Sequence, residues 1–336
     1  MMKVAILGTG SWATALSQVL IDNGHETLMY GINQEEIDDI NINHRNSRYF
    51  NDVDINHQIK ATSNLEETLK DASYLLVTVP TSAVRSVLES AKPYIKDKIT
   101  VINASKGFDL TTKKRISDTI REVLDESYRY EVVSLIGPSH AEEVIVRQLT
   151  TVCSVSLDIE RAKIVQELFS NIYFRVYSHD DEIGAEYGVA LKNVIAIASG
   201  AIAGLGYGDN TRAALMTRGL AEMTRFGVAK GGKAETYLGL TGIGDLIVTC
   251  SSKHSRNFMA GYQIGLADGA EEFMKNNKKT VEGIRTCKVI YEDLKENYYP
   301  DLEMPIVDAI YAVLYRGVKP SDAIQVLMLR ELKQEH

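Results

Sequence analysis

The chain has 336 residues, of which 45% are hydrophobic and 24% charged, and its formal net charge is -8. These proportions exclude a disordered chain, a collagen or a coiled coil, and the charge gives no general pull toward nucleic acid or anionic lipid. No apolar run approaches the roughly 20 residues of a membrane helix, and the short VAIL run after Met1-Met2-Lys3 is stopped by Gly8 before it makes a signal segment.

Residues 3–7 read as a strand and 11–23 as a helix. Further strands are predicted at 27–30, 74–79, 99–103 and 132–136, with helices between them, for example at 82–91 and 112–124. Each strand is a continuous apolar run, as expected of strands buried on both faces of a parallel sheet. This is βαβ repetition, hence a Rossmann-type doubly wound α/β domain. Strand-like runs at 150–156 and 173–177 extend the same sheet. After about residue 181 the strand signals vanish, and helices are predicted at 182–203, 211–230, 255–266, 281–297 and 321–333. Two domains follow: 1–180, which binds a dinucleotide, and 181–336, all-helical and carrying the substrate. The stretch 41–60, rich in Asn, Arg and His, reads as an excursion over the cofactor cleft. Cys153, Cys250 and Cys287 are far apart, odd in number and without CxxC spacing, which fits a reducing cytoplasm. The seven histidines lack HxxxH and HxH spacing, so no metal site is expected.

The first strand runs into Gly8-Thr9-Gly10-Ser11-Trp12-Ala13, a GxGxxA turn between strand and helix. The first glycine permits the turn, the second lets a pyrophosphate approach, and the small third residue lets helix pack on strand. Amides at the helix N-terminus then face the phosphates. Trp12, the single tryptophan, stands beside this turn and is expected to cover the cofactor. After the second strand comes Tyr30-Gly31-Ile32-Asn33-Gln34-Glu35, with neither acid nor base at the tip; Glu35 comes late and opens a helix. An acid there favours NAD and an arginine NADP, so the choice stays open.

Five further runs stand out, at the sheet's ligand edge or along the later helices. Asn103-Ala104-Ser105-Lys106-Gly107 follows a strand, and Lys106 there can reach an anion or a cofactor. Gly137-Pro138-Ser139-His140-Ala141 opens a helix, with Pro138 near its first position and Ser139 as its cap. In Tyr187-Gly188-Val189-Ala190-Leu191-Lys192-Asn193-Val194 a lysine interrupts a small, apolar helix. A buried lysine is costly unless paired or used, and burial would tune it toward acid/base work. Thr241-Gly242-Ile243-Gly244-Asp245 places one carboxylate in a glycine-rich turn, where capping a helix is its plainer role. Ser255-Arg256-Asn257 combines a cap, a fork and an amide at a helix start, which suits a phosphate.

Together these runs, with GYGDNTRAALMTRGLAE, LTGIGDLIVTC and VEGIRT, resemble the bacterial-type NAD(P)-dependent glycerol-3-phosphate dehydrogenase family from Gly8 to Thr286. The resemblance implies reversible hydride transfer between NAD(P)H and C2 of dihydroxyacetone phosphate. The product, sn-glycerol 3-phosphate, feeds phospholipid synthesis. It makes Lys192 the catalytic lysine, with Asp245 orienting it and also lining the substrate. Gly8, Gly10, Ser11, Trp12, Lys106, Ala141, Arg256 and Glu282 become cofactor residues, and Tyr49 reaches the cofactor as well. Lys106, Gly137, Ser139, Lys192, Ser255, Arg256 and Asn257 line the substrate. The family often carries a base where Ile32 stands, so dual use of NAD and NADP with a lean toward NADH is expected. Two other readings exist: a β-hydroxyacid-type dehydrogenase, disfavoured by the SRN run and the GIGD turn, and a dinucleotide sensor, which needs neither Lys192 nor Asp245. A homodimer is left open.

Overall fold

In the computed structural model every residue is described except Met1, Lys278, Lys279, Tyr298, Pro300, Asp301, Lys333 and His336. The chain divides into two compact units, residues 1–186 and 187–336.

The first unit is built on eight strands: β1 (Lys3–Leu7), β2 (Glu26–Tyr30), β3 (Ala61–Thr62), β4 (Tyr74–Val77), β5 (Ile99–Asn103), β6 (Arg129–Ile136), β7 (Thr150–Val155) and β8 (Phe174–His179). They form one sheet in the order β3-β2-β1-β4-β5-β6-β7-β8. Its helices are α1 (Ser11–Asp22), α2 (Gln34–Asp38), α3 (Ser47–Phe50), α4 (Leu65–Leu69), α5 (Val84–Ala91), α6 (Ile116–Val123), α7 (Ala141–Val144) and α8 (Ile159–Phe169). Successive strand residues face opposite sides, so each strand feeds two cores. Val4, Ile6, Met29, Leu76, Ile102 and Val133 pack on one side with Leu16, Val19 and Leu20 of α1. Ala5, Leu7, Leu75, Val77, Val101 and Val132 pack on the other with Val84 and Leu88 of α5 and Ile120 of α6. Each such fully buried side chain contributes about 1.5–3 kcal/mol.

The register sets up the ligand edge. Leu7 pairs with Tyr30 and with Val77, Val77 with Asn103, and Asn103 with Ser134. The chain therefore leaves β1, β2, β4 and β5 at one level. Both late strands join the sheet as expected, but β7 runs antiparallel to β6 while β8 runs parallel to β7. The link into β7 holds only the four-residue α7, and a parallel return needs a longer crossover.

Several predicted ends shift. The β4 strand stops at Val77, and Thr78 instead donates its hydroxyl to the Leu7 carbonyl at 2.7 Å. Residues 81–83 form a tight turn before α5 rather than its first turn, and α6 begins at Ile116, after a bridge between Phe108 and Arg115 closes the preceding loop.

Among the described residues the second unit holds only helices: α9 (Glu182–Gly204, beginning in the first unit), α10 (Asp209–Ala229), α11 (Asp245–Ser251), α12 (Arg256–Leu266), α13 (Glu271–Asn276), α14 (Glu282–Glu296), α15 (Pro305–Arg316) and α16 (Pro320–Met328), with shorter turns. The last helix starts one residue early and ends at Met328; the expected end, Lys333, lies outside the described residues. By length and composition alone α9 would pass as a membrane helix, but 72% of its apolar window is buried. A core helix meets the same test. Glycines on both helices let α12 cross it backbone to backbone: a Cβ on Gly200 of α9 would lie 1.9 Å from the Phe258 carbonyl oxygen, and one on Gly261 of α12 1.9 Å from that of Ile197.

Candidate active site

In the first unit, the turn after β1 has the geometry its glycines suggest. Gly8 adopts φ 122°, and a Cβ there would meet the Thr78 hydroxyl at 2.8 Å. A Cβ on Gly10 would meet nothing within 4 Å, so the space before it is open. Gly10 supplies no side-chain cap to α1, and no acid stands in the first turn of that helix. Its first amides and positive dipole end are thus available to an anion. Ala13 is 1% exposed, tight against the sheet. Trp12 packs on the core edge, and its buried indole N–H has no partner among the described residues. Open space, unpaired donors and a helix N-terminus fit the pyrophosphate of a dinucleotide.

Lys106 joins this turn to the loop after β6. Its ammonium lies 5.9 Å from the Trp12 ring centroid and donates to the Gly137 carbonyl and the Ser139 hydroxyl, each at 3.4 Å. Gly137 takes φ 151°, where a Cβ would press on Cα of Val152 at 2.9 Å. Ser139 does not cap a helix, and Pro138 is not at a first helical position. Helix α7 starts at Ala141 after His140, and the Ser139 hydroxyl donates instead to the Gly137 carbonyl at 3.0 Å. The sequence residues Trp12, Lys106, Gly137 and Ser139 are thereby brought together, with buried Ala141 just beyond.

The Asn-rich excursion is ordered and pinned to the glycine turn. The buried Asn46 amide donates to the Thr9 carbonyl and the Thr14 hydroxyl, both at 2.8 Å. Tyr49, three residues on, has the Arg48 guanidinium 5.7 Å from its ring centroid.

The sequence reading passed over a buried carboxylate cluster in this unit. Glu182, fully buried, takes Arg121 at 2.7 Å and Arg115 at 3.0 Å. Glu186 accepts from the hydroxyls of Ser117 and Ser134, each at 2.7 Å, and from the Asn103 amide at 3.3 Å. Burial pushes its carboxyl up to about 7, neighbouring Glu182 adds to the rise, and Arg115 opposes it. Two acids opening an otherwise apolar helix were the available signal.

In the second unit, Lys192 and Asp245 form a buried ion pair, 4% and 0% exposed. Asp245 does not act as a cap: it is the first residue of α11, already helical, beneath the turn Leu240–Gly244. The ammonium also donates to the Thr249 hydroxyl at 3.0 Å, and that hydroxyl donates to the Asp245 carbonyl at 2.6 Å. Thr249, missed in the sequence, stands four residues after Asp245, on the same helix face. Burial pushes the neighbouring Cys250 thiol up to about 12, with Lys192 pulling the other way, so it is no nucleophile here.

Ser255 does cap α12, accepting from the Phe258 amide at 3.2 Å. Arg256 is exposed in the first turn and makes no ion pair among the described residues. A lone cation there opposes the helix dipole unless an anion joins it. Asn257 is buried and already engaged: its amide donates to the Asn193 side-chain oxygen at 2.9 Å and its oxygen accepts from the Gly283 amide at 2.8 Å. That chain of bonds ties α9 and α12 to the start of α14, whose first residue is Glu282. Asn193, too, was not singled out for this role.

A profile described as the NAD-dependent glycerol-3-phosphate dehydrogenase N-terminus matches residues 3–162, and one for the C-terminus matches 181–325. The chain is 47% identical over 334 residues to a glycerol-3-phosphate dehydrogenase, NAD(P)+, of Streptococcus agalactiae, covering 99% of this chain and 98% of that protein. A protein of the same name from Bacillus anthracis is 49% identical over 335 residues, covering 100% and 98%. The crystal structure of glycerol-3-phosphate dehydrogenase from Coxiella burnetii superposes with a TM-score of 0.90 at 32% identity, over 98% of this chain and 99% of that one. The chain belongs to the NAD-dependent glycerol-3-phosphate dehydrogenase family.

Proposed function

We propose that this protein reversibly reduces dihydroxyacetone phosphate to sn-glycerol 3-phosphate with NAD(P)H, supplying glycerophospholipid synthesis. The observation that carries this reading is the buried Lys192–Asp245 pair in the same unit as the exposed Arg256 at the start of α12. In this reading residues 1–180 bind the dinucleotide through Gly8, Gly10, Ser11, Trp12, Lys106 and Ala141, with Tyr49 at its edge. Residues 181–336 hold the substrate through Ser255, Arg256 and Asn257; Lys106, Gly137 and Ser139 also serve the substrate, and Arg256 and Glu282 also serve the cofactor. A bound NAD(P)H supplies the hydride for C2.

What the chain itself does follows from charge. Reduction of the C2 carbonyl develops an alkoxide, and Lys192 donates a proton to that oxygen, taking it back in the reverse direction. Asp245 and Thr249 hold the ammonium in place. Positioned acid/base groups of this kind contribute about 10²–10⁴-fold. Arg256 and the α12 N-terminus hold the phosphate. The three unpaired, buried cysteines support a cytoplasmic setting.

The test is an assay of nicotinamide absorbance with dihydroxyacetone phosphate, unphosphorylated dihydroxyacetone and β-hydroxyacids. Turnover confined to the phosphorylated ketone is expected. Comparable turnover of β-hydroxyacids would overturn the substrate, and no turnover of any would favour a sensor.

A further inference from the structure

The tip of β2 carries no charge, yet two charged side chains from later in the chain reach that place. Ile32 is 89% exposed, and the Asn33 side chain is spent on α2, accepting from the amides of Glu35 and Glu36. Helix α2 then turns Glu36 back toward the glycine turn. Its carboxylate, 8% exposed, accepts from the Thr9 hydroxyl at 2.8 Å. Thr9 lies hard against the β2 tip, since a Cβ on Gly31 would sit 2.9 Å from that hydroxyl. The acid that this fold uses to read a ribose 2′-OH normally stands at the strand tip. Here Glu36 brings a carboxylate to the same junction from α2.

The other oxygen of Glu36 holds the guanidinium of Arg48. Arg48 keeps 62% of its side chain exposed, on a helix whose preceding Asn46 is bonded to the Thr9 carbonyl. A guanidinium has five N–H donors, so one bond to Glu36 leaves others for an anion. The excursion's second base, Arg45, is already tied to Asp54 at 2.8 Å and Asp52 at 3.6 Å.

We propose that Glu36 and Arg48 form the element that sets the choice between NAD(H) and NADP(H), with Arg48 taking a 2′-phosphate in place of a base at residue 32. Glu36 restrains and partly neutralises that arginine, which makes the discrimination modest. The proposal rests on the dinucleotide reading of the first unit but not on turnover.

Calorimetric titration of the full-length apoprotein with adenosine 2′,5′-bisphosphate and with 5′-ADP tests it. Arg48→Gln should weaken the 2′-phosphorylated ligand roughly tenfold or more, as loss of a charge-assisted contact does, and leave 5′-ADP within about twofold. Arg48→Lys should restore part of the difference, and Glu36→Gln should raise the preference for the 2′-phosphorylated ligand. Equal losses for both ligands in Arg48→Gln, or no loss for either, would overturn the proposal. If the unmodified protein bound neither ligand, the dinucleotide reading itself would fall, and the proposal with it. Binding that behaves as expected without any turnover would leave the proposal standing and sink the dehydrogenase reading alone.

Discussion

Replacing Asp245 by Asn removes the carboxylate that is paired with the Lys192 ammonium. The change is nearly isosteric, so packing is preserved. The lysine is 4% exposed, and the Thr249 hydroxyl at 3.0 Å stays beside it. Neutral acceptors do not replace a counter-charge for a desolvated ammonium, and removing one partner of a buried pair costs about 3–5 kcal/mol. For a unit of this size 1 kcal/mol moves Tm by about 2–4 °C, so the transition should fall by roughly 6–20 °C. Thermal melting at fixed pH, followed by tryptophan fluorescence and by circular dichroism, reads this. The double variant Lys192→Met/Asp245→Leu should recover most of the lost stability, because an apolar pair needs no counter-charge, while remaining inactive. An Asp245→Asn protein that melts with the unmodified one would show that the ammonium is not held as a desolvated charge, and the pairing argument would fail.

Arg256→Ala should mainly weaken the phosphorylated substrate, by about 1.5–3 kcal/mol or roughly 10–150-fold in KM; unchanged discrimination between dihydroxyacetone phosphate and dihydroxyacetone would place the phosphate elsewhere. Ile32→Arg should shift preference toward NADPH by about 1–3 kcal/mol in kcat/KM, at little cost in stability because residue 32 is exposed; no shift would mean that the 2′ position is read elsewhere. Glu186 has an ordinary value of 4.5 and is raised to about 7 in the fold, so the folded state holds more protons than the unfolded one between these values. Stability should therefore be full below about pH 4.5 and fall as pH rises toward 7. Denaturant midpoints across that window should slope downward, and Glu186→Gln should flatten the slope, leaving a residue from Glu222, whose carboxyl burial also pushes up to about 7. An unchanged slope in Glu186→Gln would assign the linkage to other groups.

Much of this was legible along the chain because period and composition report burial directly. The apolar runs at β1, β4 and β5 carry their own signal, and the glycines of the first turn sit where the backbone needs them. Direction is different: β7 reads as a strand, but only the short link through α7 makes it antiparallel. Helix α15 has proline at its first turn and Gly317 in a left-handed cap at its end, signals present in the sequence but unread there. The site shows the same division. Lys192 stood out because a charge in an apolar helix is costly, whereas Thr249 and Asn193 are ordinary polar residues until folding sets Thr249 against the ammonium and Asn193 against Asn257. Glu36 is the sharpest case. Counting from the strand tip stopped at Glu35, set aside as late, and the turn of α2 returns the next residue to Thr9.

The central claim is that Lys192 supplies the proton for the C2 oxygen, and the Lys192→Ala variant tests it most directly. Its kcat for dihydroxyacetone phosphate should fall by about 10²–10⁴-fold or more, while NADH affinity, followed by quenching of Trp12 fluorescence, stays nearly unchanged. A folded variant that kept more than about a tenth of the original kcat would contradict an essential acid at this position.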